Sequence, residues 1–166
     1  KALDVGTGSG GLAIKLAKRY PQSRVWGIDY WGKTWNYSRQ QCEENAECEG
    51  VADSIVFKKA SASNLPFKDG DFDAIVSNFV YHEVRDTRDK SKLIDESLRV
   101  LKKGGTFSLQ DTFKNERRYG KIEDLITKIK SWGIEQVEFV ESINHFSMPK
   151  LIHSELKTMG ILYGVK

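Results

Sequence analysis

Cysteine is scarce in this sequence of 166 residues, which contains only Cys42 and Cys48. The two cysteines are six positions apart in a predicted helix, on different faces, so we expect no disulfide. Neither a CxxC knuckle nor the H-E-x-x-H spacing of a zinc site occurs, and we predict no metal. Two free thiols are typical of a reducing compartment, and we expect a cytoplasmic location.

Long apolar runs and a strong excess of charge are also missing. No segment approaches the roughly 18 apolar residues that a membrane-spanning helix needs, and no signal peptide is recognisable. The net charge of +3 argues against a nucleic-acid partner, whose only support is the basic segment Arg117-Arg118-Tyr119. The sequence begins without Met inside a predicted strand, so we expect a fragment whose parent chain carries an upstream lid or an N-terminal anchor.

Glycine, in contrast, is concentrated in one stretch near the start of the chain. Ala2 to Val5 is predicted as a buried strand, Leu12 to Tyr20 as an amphipathic helix, and the turn between them is Gly6-Thr7-Gly8-Ser9-Gly10-Gly11. Glycines accept positive φ and let a ligand approach the backbone at a helix N-terminus. The turn satisfies G-x-G-x-G and also the dinucleotide pattern G-x-G-x-x-G, so it predicts a nucleotide site of either type.

Strands and helices alternate along the rest of the chain. Further strands are predicted at Arg24–Ile28, Ser54–Lys58, Phe72–Ser77, Thr106–Leu109, Gln136–Val140 and Ile161–Val165. Further helices are predicted at Lys33–Gly50, Asp89–Lys102, Lys121–Trp132 and Pro149–Met159, with Gly104-Gly105 ending the second of these. This alternation predicts an α/β protein with a doubly wound, mostly parallel Rossmann-like sheet of seven strands in a single domain over residues 1–166.

Polar and glycine residues follow the carboxyl ends of the predicted strands. These are the glycine turn, Asp29, Ser61 and Asn78. Ligands of open α/β sheets bind at this edge, where the strand order reverses. The sequence therefore predicts one site formed by these segments.

Five segments, in order, resemble class I S-adenosylmethionine-dependent methyltransferases over nearly the whole chain. Asp4-x-Gly6-x-Gly8-x-Gly10 is similar to the first motif of that family, and Asp29 to its ribose-binding acid. Leu65-Pro66-Phe67 with Asp71-Phe72-Asp73 resembles its L-P-F…F-D segment. The sequence from Leu98 to Gly105 resembles its L-R-V-L-K-P-G-G turn, with Lys103 in place of proline. The last two predicted strands resemble its closing hairpin, whose final strand is antiparallel.

The resemblance implies S-adenosylmethionine as the cofactor. Ser61 stands where the family frequently has an acid, which leaves its contact to the adenine amino group open. Tyr30 and Trp31 are expected to pack on the adenine or to cover the core. The cofactor-binding residues implied are Asp4, Gly6, Thr7, Gly8, Gly10, Asp29, Tyr30, Ser61, Ala62 and Asn78.

The segment Asn78-Phe79-Val80-Tyr81-His82-Glu83 is expected near the reactive methyl group. His82 is the preferred candidate for a general base and Tyr81 the second, because both carry a proton when their pKa values are suitably shifted. Asn78 lacks the prolines of the N-P-P-Y motif, and His145 and His153 receive no role. Trp31, Trp35 and Tyr37 either form an acceptor pocket or cover the core.

The predicted function is methyl transfer to a small-molecule or lipid-like acceptor, with reduced activity expected without the upstream lid. Two alternatives remain at this point. One is a non-catalytic S-adenosylmethionine-binding or interaction domain, and the other is an NAD-type dinucleotide domain supported by G-x-G-x-x-G and Asp29. The oligomeric state is left open.

Overall fold

A computed structural model describes residues 1–32, 36–141 and 157–166 of the chain. Its strands are β1 (Ala2–Val5), β2 (Val25–Asp29), β3 (Ile55–Lys59), β4 (Phe72–Asn78), β5 (Leu101–Asp111), β6 (Gln136–Glu141) and β7 (Gly160–Val165). Its helices are α1 (Gly11–Arg19), α2 (Arg39–Cys48), α3 (Ser91–Arg99), α4 (Glu116–Tyr119) and α5 (Ile122–Ser131). Short 3₁₀ turns span Ala52–Ser54 and Tyr81–Glu83.

The strands form one sheet in the order β3-β2-β1-β4-β5-β7-β6. β1 pairs in parallel with both β2 and β4, so the strand order reverses beside β1. β7 is antiparallel to both β5 and β6. The predicted doubly wound sheet with an antiparallel last strand is therefore confirmed.

Burial explains why the central elements form where they do. All four residues of β1 are buried, as expected for a strand covered on both faces. In α1 the buried residues are Ala13, Ile14 and Ala17, whose spacing places them on one helical face. In α3 the same pattern buries Leu93, Ile94 and Leu98 against the sheet.

The helix predicted over Lys33–Gly50 is shorter than expected. α2 begins at Arg39, because the Ser38 hydroxyl oxygen accepts a hydrogen bond from the Gln41 amide at 3.1 Å and caps the helix. Residues 33–35, including Trp35, lie outside the described residues.

The prediction that a helix over Asp89–Lys102 ends at Gly104-Gly105 was wrong. α3 ends at Arg99, and Leu101 already pairs with Phe72 in the sheet. The register then shifts so that Thr106 pairs with Ala74, which leaves the residues between them as a bulge. The two glycines belong to this bulge, where Gly104 has φ +75.

The remaining differences lie in the last third of the chain. α4 lies between β5 and α5, in a segment for which the sequence predicted neither a helix nor a strand. The predicted helix Pro149–Met159 lies outside the described residues up to position 156, and residues 157–159 are not helical. His145 and His153 also lie outside them. No helix in the described part of the chain is long and apolar enough to span a membrane.

Candidate active site

The glycine turn between β1 and α1 lies at the carboxyl edge of the sheet, beside the point where the strand order reverses. Gly6, Gly8 and Gly10 have φ of +74, +58 and +88, values that favour glycine over any residue with a β-carbon. The amides of Gly6 and Thr7 both donate to the Ile28 carbonyl, at 2.8 and 2.9 Å. The turn is thereby fixed to the end of β2.

Asp4 stabilises this turn through hydrogen bonds from the core side. Its side chain is buried, and one carboxylate oxygen accepts hydrogen bonds from the Thr7 hydroxyl at 2.7 Å and the Ala13 amide at 3.1 Å. Burial raises the pKa of Asp4 to about 7, although the two hydrogen bonds act in the opposite direction. Asp4 and Thr7 therefore shape the turn from the core side.

Asp29, the last residue of β2, places a carboxylate beside the turn. Its two oxygens accept hydrogen bonds from the Gly8 and Trp31 amides, each at 2.9 Å. A carboxylate offers about four lone-pair positions, so acceptor capacity remains for a ligand with neighbouring hydroxyl groups. The half-buried Asp29 can therefore bind both hydroxyls of a ribose.

Two aromatic residues follow Asp29. Tyr30 is 64% exposed, and the Lys59 ammonium lies 5.3 Å from its ring centroid. Trp31 has φ +44, and its indole N–H donates to the Gly8 carbonyl at 2.9 Å. Trp31 therefore links the end of β2 to the glycine turn, while the Tyr30 ring is available to a ligand.

The turn after β3 lies beside Asp29, because the Ala60 amide donates to the Asp29 carbonyl at 3.0 Å. In this turn Ala62 is buried and Ser61 is half-buried. The Ser61 hydroxyl lies 2.8 Å from the Ser63 hydroxyl. Ser61 is thus brought to the same edge as Asp29, as the sequence predicted.

His82 lies beyond the end of β4 and is paired with an acid that the sequence did not single out. Its Nδ1 lies 2.8 Å from Asp111 Oδ1, at the end of β5, and its Nε2 lies 3.2 Å from Glu83 Oε1. Asp111 is fully buried and also accepts from the Thr112 amide at 2.6 Å.

The pKa shifts of this pair favour the charged forms. The hydrogen bond to Asp111 raises the pKa of His82 above its ordinary value, against the opposing effect of partial burial. Burial acts to raise the pKa of Asp111, but the hydrogen bonds and charge of His82 bring it below its ordinary value. Asp111 lies at the end of a strand, and this position was the sequence signal that could have identified it.

Tyr81 and Asn78 occupy different environments from His82. Tyr81 is fully buried, its hydroxyl lies 3.0 Å from Ser97 on α3, and burial raises its pKa. We therefore give it no role in proton transfer. Asn78 is exposed at the tip of β4, and the next residue, Phe79, has φ +56. Non-glycine residues with positive φ are concentrated at functional sites, which agrees with the positions of Phe79 and Trp31.

Of two cavities, one of about 700 Å³ lies between α1 and α2 and borders the glycine turn at Ser9 and Gly11. The larger cavity, of about 880 Å³, lies towards the end of the strands that is opposite the glycine turn. Its lining includes Leu16, Tyr20, Ala74, Ser108 and Tyr163. Within the described ranges, no group of three or more His, Cys, Asp or Glu side chains is placed to hold a metal ion.

Comparison with known proteins identifies a family pattern described as "Methyltransferase domain", which matches residues 3–109. Norajmaline N-methyltransferase from Rauvolfia serpentina is 34% identical over 103 residues, which cover 61% of this chain and 32% of that protein. The ubiquinone/menaquinone biosynthesis C-methyltransferase UbiE from Brucella anthropi is 36% identical over 107 residues, covering 64% of this chain and 38% of that protein. The chain thus spans less than half the length of these relatives.

Among solved structures, phosphoethanolamine N-methyltransferase 2 from Haemonchus contortus, in complex with S-adenosyl-L-methionine, has a TM-score of 0.73. Its sequence identity is 18%, and the alignment covers 99% of this chain and 48% of that one. At this identity the likeness shows the shared fold and no more.

Proposed function

Because the chain belongs to the S-adenosylmethionine-dependent methyltransferase family, whose pattern matches residues 3–109, we propose that it transfers a methyl group to a small-molecule acceptor. The acceptor is a lipid-like or other small organic molecule, in keeping with the names of the two relatives, which specify norajmaline and ubiquinone/menaquinone biosynthesis. Nucleic acid is not part of this proposal.

The observation that carries the proposal is the position of the Asp29 carboxylate beside the glycine turn. The Gly8 amide fixes Asp29 at 2.9 Å, and the Ser61 turn is joined to the same strand end. A carboxylate that can accept hydrogen bonds from two hydroxyl groups, beside a glycine turn that a ligand can approach closely, fits an adenosine. We propose that the cofactor is held by Gly6, Gly8, Gly10, Asp29, Tyr30, Ser61, Ala62 and Asn78, with Asp4 and Thr7 as positioning residues.

When bound, S-adenosylmethionine supplies a methyl group on a sulfonium, a carbon that is already activated for displacement. The protein must therefore mainly orient the acceptor, and orientation can contribute roughly 7–11 kcal/mol to lowering such a barrier. Covalent participation of a side chain is not required.

His82 takes the proton when the acceptor arrives protonated. Its Nδ1 faces Asp111 at 2.8 Å, so Nδ1–H donates to that carboxylate and Nε2 is the basic nitrogen. Protonation at Nε2 produces an imidazolium between Asp111 and Glu83, with Glu83 Oε1 3.2 Å from Nε2. Both carboxylates stabilise the cation, which is the property needed in a general base.

The experiment that tests this function is methyl transfer from radiolabelled S-adenosylmethionine to a panel of a demethylquinol, an alkaloid amine and a fatty acid. The wild type and His82→Gln are compared. Label transfer to one acceptor class, reduced in the variant, supports the proposal, whereas cofactor binding without transfer to any acceptor favours the non-catalytic alternative. The dinucleotide alternative is not favoured by the family match.

Three further expectations remain proposals. We propose that residues 1–166 form a single cofactor-binding domain, and that upstream residues of a longer chain increase its activity. We also propose a cytoplasmic location, which the two free cysteines support. A turnover that is equal in a longer chain would contradict the second of these.

A further inference from the structure

Helix α2 contacts the glycine turn through two hydrogen-bond donors. The Cys42 thiol donates to the Gly8 carbonyl at 3.1 Å. The side-chain amide of Asn45 donates to the Ser9 carbonyl at 2.9 Å. The two donors are three positions apart, so they lie on the same side of the helix. Residues that follow the turn by 34 and 36 positions in the chain therefore bind its backbone.

The Cys42 side chain is enclosed where α2 packs on the turn. It is fully buried, and a β-carbon added at Gly10 would lie 3.4 Å from the Cys42 β-carbon. Burial raises the pKa of the Cys42 thiol to about 12, and the negative charge of Asp29 acts in the same direction. The thiol therefore keeps its proton at neutral pH and remains a donor, which a thiolate is not.

Gly8 is held on both sides of its α-carbon. Its amide donates to Asp29 Oδ2 at 2.9 Å. Its carbonyl accepts from the Cys42 thiol and, at 2.9 Å, from the Trp31 indole. Because a peptide unit is planar, fixing the Gly8 carbonyl also fixes the direction of the Ser9 amide. The contacts that orient the turn thus also fix the carboxylate that we propose to bind the ribose.

A turn rich in glycine needs contacts from outside to keep one conformation. Glycine has more backbone freedom than any other residue, so ordering it costs more conformational entropy. A ligand that binds the backbone of a mobile turn bears that cost, whereas a turn that is already ordered binds the same ligand more tightly. The two donors of α2 order the turn in this way.

We propose that Cys42 and Asn45 are positioning residues for the cofactor, because they order the glycine turn before the cofactor binds. The inference rests on the proposed function, since it concerns the turn that we propose to hold S-adenosylmethionine. It extends the cofactor site to α2, whose two donors act through the backbone of the turn.

Two substitutions at Cys42 separate positioning from packing. The Cys42 side chain belongs to an apolar cluster that includes Ala13, Ile14 and Phe57. If its role were packing alone, serine would be at least as harmful as alanine, because both lose the sulfur and serine adds a hydroxyl group to an apolar site. If its role is to donate a hydrogen bond, serine retains that role and alanine does not.

The test is calorimetric titration of the chain with S-adenosylhomocysteine, in parallel with urea denaturation of each variant. We compare the wild type with Cys42→Ala, Cys42→Ser and Asn45→Leu, of which the last is close in shape to asparagine but has no donor. The matched controls are Cys48→Ala and Gln41→Leu, which replace exposed residues of the same helix. Titration is carried out without urea, at a temperature where every variant is folded, so that affinity is measured separately from stability.

We expect Asn45→Leu to bind S-adenosylhomocysteine about tenfold more weakly than the wild type. Cys42→Ala should bind it a few-fold more weakly, since a thiol is a weaker donor than an amide. Cys42→Ser should bind within about twofold of the wild type, even though its free energy of unfolding is lowered by the hydroxyl group in the apolar cluster. Both controls should match the wild type.

Two kinds of result contradict the inference, and they are distinguishable. Wild-type affinity in both Cys42→Ala and Asn45→Leu, or an affinity of Cys42→Ser as low as that of Cys42→Ala, contradicts the positioning role and leaves the proposed function intact. A wild type that does not bind S-adenosylhomocysteine contradicts the proposed function and the inference together.

Discussion

The Val80 side chain occupies the space that a side chain at Gly6, the first glycine of the turn, would need. A β-carbon at position 6 would lie 2.1 Å from a methyl carbon of Val80, far inside van der Waals contact. Gly6 also has φ +74, a conformation that residues with a β-carbon rarely adopt. The segment just after β4 therefore packs directly on the turn that follows β1, and only glycine satisfies both constraints.

The substitution Gly6→Ala tests this contact. Strain at positive φ and displacement of Val80 together should lower the free energy of unfolding by about 2–4 kcal/mol, measured by urea denaturation. The control is Gly50→Ala, which has φ +69 but no atom within 4 Å of the added carbon, and should cost about 1–2 kcal/mol. Equal losses in the two variants would show that Val80 does not restrict position 6.

The buried carboxyl of Asp4 makes stability depend on pH. Because its pKa is about 7 in the folded chain, above the value of about 3.9 for an unfolded chain, folding loses stability as pH rises between these values. Asp4→Asn keeps an oxygen for the Thr7 and Ala13 donors but does not titrate. We expect the variant to gain about 2–4 kcal/mol relative to the wild type between pH 4 and pH 8, in denaturation at both pH values. A difference that is independent of pH would contradict the raised pKa.

Asp111 is expected to set the proton affinity of His82. Since the neutral imidazole is the base, methyl transfer to a protonated acceptor should rise with pH through the His82 pKa and then level off. Asp111→Asn should lower this pKa and move the rise to lower pH, because the raising hydrogen bond to the carboxylate is lost. The pKa is measured by NMR titration of the His82 ring, assigned with His82→Gln, and no change in Asp111→Asn would contradict the pairing.

The same pair contributes to stability only within a pH window. The raised pKa of His82 gives stability that is complete below about 6.5 and is lost as pH rises through the folded value. The lowered pKa of Asp111 gives stability that is complete above about 3.9 and is lost as pH falls through its folded value. His82→Gln should therefore destabilise the chain more at pH 5.5 than at pH 9 in urea denaturation. A larger loss at pH 9 would be the opposite result.

The strand alternation and the glycine turn were predictable because both depend on local sequence. The buried strand Ala2–Val5 was found with its correct bounds, since apolar runs and glycines are direct signals. The start of β5 was not found, because Leu101 continues the apolar spacing of the preceding helix. Its place in the sheet depends on pairing with Phe72, a contact that sequence periodicity does not reveal.

The residues of the candidate site also differ in whether the sequence alone could identify them. Asp29 and Ser61 follow predicted strands, so the rule for strand ends identified them in advance. Asp111 lies beyond the predicted end of its strand at Leu109, and only the fold brings it to His82. Tyr81 and His82 are neighbours in sequence, yet one is in the core and the other faces Asp111, because the 3₁₀ turn points them in different directions.

The central claim is that the glycine turn and Asp29 form an S-adenosylmethionine site. The most direct measurement is titration calorimetry of the chain with S-adenosylhomocysteine and, separately, with NADH, using Asp29→Ala as the variant. The account predicts binding of S-adenosylhomocysteine alone, weakened by about tenfold or more in Asp29→Ala. Binding of NADH instead, or an affinity for S-adenosylhomocysteine that Asp29→Ala leaves unchanged, would contradict it.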